Sequence, residues 1–380
     1  MSMAMLAGFF SVFGFGILVA FLGSIKLKLA PRIGADDAQF GKIVAVFQWT
    51  MVVMAILGGI ALDALGHGLI IPMGMALSAI GIFLISSSGS IGAVMASCVV
   101  LGIGGQFINL GGNTLLPGLF EDPSAGSNLG NTFFGLGALL IPIIVASLFV
   151  RTSYARALRI VSLIMLLPIV IAAAAEYPLL EGQQFSLTVA VELLGSLVTW
   201  LAALTLFCYV GLEVSMAVWI TTYASEMGAS DREAGNVLSI FFVAMMASRL
   251  LFGLQDQITG IELTPVGAYV LGGAGLIAAV AITLMMTAGS LGAAKGAIAL
   301  AGFVFGPIFP TTVGVTFQHF EPAQWGTLFG VIFAIGLVGA STLPAWIGKL
   351  ATGKTVRSAL NILRVTAVAL AVISAVLGLQ

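Results

Sequence analysis

Charge is scarce in this chain of 380 residues: only 8% are Asp, Glu, Lys or Arg, against 60% hydrophobic. A soluble domain carries about a quarter charged residues, so this chain cannot cover itself in water. A mean hydropathy of +1.16 agrees. A net charge of −1 gives no footprint for nucleic acid. Two histidines leave little scope for a metal site. The two cysteines, Cys98 and Cys208, both fall in apolar runs; they read as small packing residues, not as a disulfide framework. No phosphate-binding loop, nucleophile triad or metal-ligand cluster is visible, so neither enzymatic chemistry nor a cofactor is expected. No basic segment precedes the first apolar run, which is therefore read as a spanning helix and not as a cleaved signal.

Long apolar runs and glycine are what the chain does have, with 48 glycines. Small residues let helix backbones approach closely in lipid. A spanning helix needs about 20 apolar residues. That measure predicts helices near 4–25, 41–64, 68–88, 91–118, 128–150 and 157–176, then 197–225, 235–254, 266–287, 290–316, 326–348 and 356–379. In lipid every backbone group must be satisfied internally, which excludes open strands. The expected fold is an all-α membrane protein of twelve transmembrane helices. The longest polar break, Glu176 to Gln184, and an amphipathic stretch from Phe185 to Leu197 that carries Glu192 form the expected linker. The domains are then 1–176, a linker at 177–196, and 197–380.

The two halves look related. Gly59-Ile-Ala-Leu-Asp63-Ala-Leu-Gly66 follows the second helix and Gly253-Leu-Gln-Asp256-Gln-Ile-Thr-Gly260 follows the eighth. Thr132-Phe-Phe-Gly135 and Thr327-Leu-Phe-Gly330 open the fifth and eleventh. Offsets of 193 to 195 residues at equivalent helices argue for two pseudo-symmetric bundles of six. Transporters with such halves place their solute near the bilayer midplane, where the repeats meet.

Polar groups inside a bilayer are costly and mark function by default. Glu213, near the middle of the seventh helix, is the carboxylate placed deepest in a span; it is a candidate for proton coupling, against the plainer reading of a packing hydrogen bond. Gln106, Asn109 and Asn113 fall on one face of the fourth helix. Amides donate and accept, which suits a polyhydroxylated solute. Gln48, Asn131 and Asn236 are candidates for the same cavity, against a role as interhelical glue. Tyr209 and Trp219 supply aromatic faces; Trp219 is placed two turns beyond Glu213 on nearly the same face. Trp49 is a further aromatic candidate for stacking on a sugar ring, against an interfacial belt or plain packing, and Tyr223 near a helix end fits the belt. Pro307 and Pro310 break the tenth helix, and Pro117-Gly118 marks the end of the fourth. Asp63 and Arg249 are candidate gate residues, although Arg249 near a helix end could equally snorkel.

Gly59-x-x-x-Asp63-x-x-Gly66 is similar to the loop motif of the major facilitator superfamily, with His67 where the family pattern usually continues with Arg or Lys. Asn128 to Leu139, Tyr209 to Tyr223, Ser248-Arg-Leu-Leu-Phe-Gly253 and Gly306-Pro-Ile-Phe-Pro-Thr311 resemble the fucose permease group of that superfamily. The resemblance implies alternating access and a hexose or related sugar as small-molecule substrate, coupled to protons or sodium. In that group proton coupling belongs to acids of the first and fourth helices. Here the first helix has none, and the fourth offers Asn109 and Asn113, which leaves Glu213, sodium or uncoupled transport. An exporter of amphipathic compounds is the second reading. A non-transporting receptor is a third, but no stretch outside the helices is long enough for a signalling domain.

Charge placement conflicts with the family's topology. Of the 14 basic residues, 12 border odd-numbered connections, while the even ones hold Glu121, Asp122, Glu176, Glu181, Asp256, Glu262 and Glu321. The positive-inside rule then puts the odd connections in the cytoplasm and both termini outside. The resemblance implies both termini inside. Three readings stand: a helix count wrong by one, an exception to the rule, or inverted insertion. A multi-pass protein of the inner membrane is expected in each case.

Overall fold

A computed structural model describes residues 2–178, 187–352 and 354–380. Among these, twelve helices are long and apolar enough to cross a membrane. They are Met3–Ile33, Ala38–Leu65, His67–Ser87, Ile91–Leu119, Pro123–Arg151 and Tyr154–Ala174, then Leu197–Glu226, Arg232–Gly253, Thr264–Thr287, Leu291–Phe317, Pro322–Ala351 and Val356–Leu377. The count matches the sequence expectation, which removes a miscounted helix from the topology conflict. Most of the expected polar linker lies outside the described residues; a short helix, Leu187–Leu194, follows it.

Helix ends are set by local chemistry. The first helix runs eight residues past its expected end and carries Pro31 in its last turn. It stops where Gly34 turns left-handed at φ 65°, a conformation open to glycine. The second helix opens with a capping box in which Asp36 accepts from Gln39 N at 2.7 Å and Gln39 Oε1 accepts from Asp36 N at 3.0 Å. The eighth opens the same way with Ser230 and Glu233, 194 residues later. Each box satisfies donors that a helix start leaves orphaned.

The chain divides into two compact units. The first comprises Met1–Leu119, Phe133–Ala190 and Glu321–Val331; the second comprises Phe120–Thr132, Val191–Phe320 and Ile332–Gln380. The start of the fifth helix thus packs with the second unit, and the start of the eleventh with the first. In the first unit, Gly16 lies against the Phe134 carbonyl and Gly137 against the Phe13 carbonyl, so no Cβ fits at either. The first and fifth helices therefore cross backbone to backbone. In the second unit the seventh and eleventh helices cross alike, with Gly339 against the Phe207 carbonyl and Gly211 against that of Gly339.

Among the described residues three spans are interrupted: the sixth at Leu167–Pro168, which the sequence reading had as continuous, the tenth between Phe305 and Ile308, and the twelfth at Leu360. The second break falls at Pro307, as expected. Pro310 sits inside the resumed helix, and its missing N–H leaves the Gly306 carbonyl without its helical donor.

Candidate functional site

Tyr209 and Glu213 are four residues apart on the seventh helix and so share a face. That face meets Arg249 of the eighth. The Arg249 guanidinium does not snorkel to a membrane surface: it is buried at 2% exposure. Its Nη2 donates to the Tyr209 hydroxyl at 3.0 Å and stands 3.9 Å from Glu213 Oε1. Its Nε donates to the Gly306 carbonyl at 3.0 Å, which is the oxygen that Pro310 leaves unpaired. The helix break therefore supplies the acceptor that holds Arg249. Phe305 and Phe309, on either side of the break, pack on the Tyr209 ring at 6.3 Å. Tyr209 is fully buried, whereas Glu213 keeps 19% of its side chain accessible. The carboxylate is thus the member of the cluster open to exchange with its surroundings.

In the first unit, the fourth helix buries Gln106, Asn109 and Asn113. Asn113 Nδ2 donates to Asn109 Oδ1 at 2.9 Å and to the Asn109 carbonyl at 3.0 Å. Among the described residues, neither amide atom of Gln106 has a partner, nor does Asn109 Nδ2. A buried polar group left unmatched costs about 1–3 kcal/mol, so three such atoms on one helix face amount to a demand for a polar occupant.

The other candidates scatter. Asn131 Nδ2 donates to the Ser127 carbonyl at 3.0 Å, one turn back on its own helix. Gln48 and Asn236 are exposed. Trp219 is not on the face of Glu213: six residues turn a helix by about 600°, which leaves the two about 120° apart. Its Nε1 donates to the Pro344 carbonyl on the eleventh helix at 3.1 Å. Trp49 is exposed, while Tyr223 is buried with its hydroxyl donating to the Met285 carbonyl at 2.5 Å, a packing role in place of the expected belt.

Asp63 caps a helix. Its carboxylate accepts from Gly326 N at 2.8 Å, Thr327 N at 2.7 Å and Thr327 Oγ1 at 2.5 Å, all in the first turn of the eleventh helix. Among the described residues the side chain of Asp256, its partner in the sequence repeat, accepts only from neighbouring Gln257 N, at 2.8 Å. A buried cap is supplied in the second unit by Asp122, which accepts from Ser124 N at 2.9 Å and from the backbone and hydroxyl of Thr264, with a further bond from Leu263 N. Sequence reasoning counted Asp122 only as a loop acid. Asn128 was missed as well: its Nδ2 donates to the Ser124 carbonyl at 2.8 Å and to Thr311 Oγ1 at 3.2 Å, while its Oδ1 has no partner among the described residues. Its spacing of three from Asn131 was the available signal.

Twelve apolar helices, a repeat of six, and buried polar clusters inside the spans define a multi-pass membrane protein. The sequence profile of the Major Facilitator Superfamily matches residues 4–344, and the chain belongs to that family. The fold is shared with the E. coli fucose:proton symporter FucP, at TM-score 0.78 and 18% identity over 99% of this chain and 98% of that one. A FucP structure in the outward conformation gives TM-score 0.83 at 17% identity, with the same coverage. The human organic anion transporter MFSD10 (TETRAN) gives 0.76 at 17%, covering 98% of both chains. Among curated proteins, Protein TsgA of Salmonella schwarzengrund is 27% identical over 164 residues, 42% of each chain. A TsgA homolog of Enterobacter sp. is 26% identical over 164 residues, 42% of this chain and 41% of its own. The match thus spans less than half the length of these relatives.

Proposed function

We propose that the chain carries a small polar solute, a hexose or related sugar, by alternating access, with Glu213 as the group that takes and releases a proton. The observation that carries this reading is Gln106: fully buried, with neither the donor nor the acceptor of its amide matched by protein among the described residues. Together with Asn109 Nδ2 it offers the mixed donors and acceptors that sugar hydroxyls need. The likeness in fold to a fucose:proton symporter favours the same class. Tyr209, Arg249 and Glu213 form the charged element of the second unit, Gln106, Asn109 and Asn113 the polar element of the first, and Asp63 the gate.

Counterflow of labelled hexoses in proteoliposomes tests the substrate; no hexose exchanged under any proton or sodium gradient would sink it. Glu213→Gln is expected to lose proton-driven accumulation while exchange survives. Undiminished accumulation in that variant would return Glu213 to packing.

Export of amphipathic compounds is the second reading. It is favoured by a cavity of about 250 Å³ in the first unit lined by Phe10, Phe13, Met75, Ile108 and Met165 among other apolar residues. The organic anion transporter of the same fold fits it too. This reading predicts drug-resistance phenotypes in cells expressing the protein, and no sugar flux.

For membrane orientation, the 12 basic residues at odd connections outweigh the family habit. A reporter that fluoresces only in the cytoplasm, fused after Gln380, is expected to stay dark. Bright cells would establish the usual topology.

A further inference from the structure

Arg364 lies eight residues into the twelfth helix, Val356–Leu377, about 12 Å from its start at 1.5 Å per residue. Its side chain is exposed. Among the described residues its guanidinium makes no hydrogen bond or ion pair. Arg357, two turns earlier, is fully engaged by comparison: its Nε donates to the Met286 carbonyl at 2.5 Å and its Nη2 to that of Ala288 at 2.8 Å. An unmatched guanidinium on the outer face of a spanning helix is costly in hydrocarbon unless it pairs with an anion or snorkels to the surface.

The surroundings describe the anion. Arg364 lines an open groove of about 520 Å³ between the ninth and twelfth helices. One wall is the ridge Leu276, Val280 and Leu284, spaced by four; the other is Arg364, Val365 and Val368. Val280 is 55% exposed and Val365 58%, so the walls face outward. The one hydroxyl in the lining, Thr283 Oγ1, is already donated to the Ala279 carbonyl at 2.7 Å. The groove is therefore apolar along its length with a single cation. Helical side chains lean toward the N-terminus, so that cation leans toward the basic 11–12 connection, with Lys349, Lys354 and Arg357.

We propose that this groove is a site for an anionic phospholipid, its phosphate on Arg364 and one acyl chain between the two ridges. A free phosphate would leave the apolar walls uncovered, and an uncharged lipid would leave Arg364 unmatched. Anionic headgroups gather where basic residues flank a span, and the 11–12 connection is such a place.

Native mass spectrometry of the purified full chain with added phosphatidylglycerol tests this. Wild type is expected to retain one equivalent. Arg364→Gln, at an exposed position, is expected to retain it about fivefold less well. Val280→Trp fills the groove while keeping the cation, and is expected to lose the lipid too. Equal retention by wild type and Arg364→Gln overturns the proposal. Loss in Arg364→Gln but not in Val280→Trp also overturns it, by reducing Arg364 to a snorkelling cation with no groove site. Displacement of the lipid by equimolar inorganic phosphate would assign the site to a free anion and overturn it as well. Dimers that exclude lipid and dissociate in Val280→Trp would assign the groove to a second copy, with the same consequence.

Discussion

Replacing Arg249 by leucine is expected to abolish uptake and to lower stability by about 3–5 kcal/mol, the usual cost of breaking a buried ion pair by removing one partner. Three groups are stranded at once. Glu213 loses its nearest counter-charge, Tyr209 loses the donor to its hydroxyl, and the Gly306 carbonyl loses the donor that stands in for the missing Pro310 N–H. Because Glu213 keeps 19% of its side chain accessible, part of its charge is relieved by its surroundings, and the loss should fall at the lower end. Arg249→Lys should not rescue: one ammonium cannot present the spaced Nε and Nη2 donors that reach Gly306 and Tyr209 together. Combining Arg249→Leu with Glu213→Leu removes both charges, and should destabilise less than the two single changes summed. Thermal unfolding followed by intrinsic fluorescence, with uptake in proteoliposomes, reads both effects. An Arg249→Leu protein that unfolds at the wild-type temperature and still transports would remove this cluster from the mechanism.

How much of this was legible in the sequence depends on what each feature is made of. The number of spans was legible because a bilayer demands about 20 apolar residues each time. Helix ends were less so, since a helix ends where its backbone is capped or turned, not where its hydropathy falls. Ile33 is followed by left-handed Gly34, and the fifth helix begins at Pro123 behind the Asp122 cap, five residues before the expected start. Glu213 stood out because a lone acid in an apolar run is conspicuous. Its partner did not, because nothing in periodicity says which neighbouring helix Arg249 will face. The break at Pro307 was visible, but the carbonyl that Pro310 frees gains meaning only once Arg249 is seen to reach it. The repeat was informative about architecture and misleading about roles. It reappears in the paired capping boxes at Asp36 and Ser230, yet Asp256 bonds only within its own turn while Asp122 makes the buried cap. Short motifs preserve backbone paths better than side-chain duties.

Asp63→Ala is expected to destabilise the protein by about 2–4 kcal/mol, because three bonds to one ionised acceptor at a helix start are lost together. Two of the donors are the backbone N–H groups of Gly326 and Thr327, and the site is buried, so no solvent readily replaces the lost acceptor. Asp63→Asn should recover little, since its NH₂ must face one of those donors. Thr327→Val removes only the hydroxyl bond and should cost about 1 kcal/mol. The glycines make the fit close: a Cβ at Gly59 would strike the Gly326 carbonyl, and one at Gly326 would strike Asp63 itself. Gly59→Ala should therefore push the cap apart at a cost of about 1–3 kcal/mol, although Asp63 is untouched. Asp256→Asn, bonded only to its neighbour, should change stability by less than about 0.5 kcal/mol. Unfolding midpoints across this series check the order Asp63→Ala, Asp63→Asn, Thr327→Val, Asp256→Asn, and equal midpoints for the first and last would refute the cap. Transport then separates a fastening from a gate. A fastening scales uptake with the amount of folded protein and leaves turnover per molecule unchanged. A gate changes turnover per folded molecule in Asp63→Asn while solute affinity holds, because the eleventh helix starts each cycle without the contact that fixes its first turn.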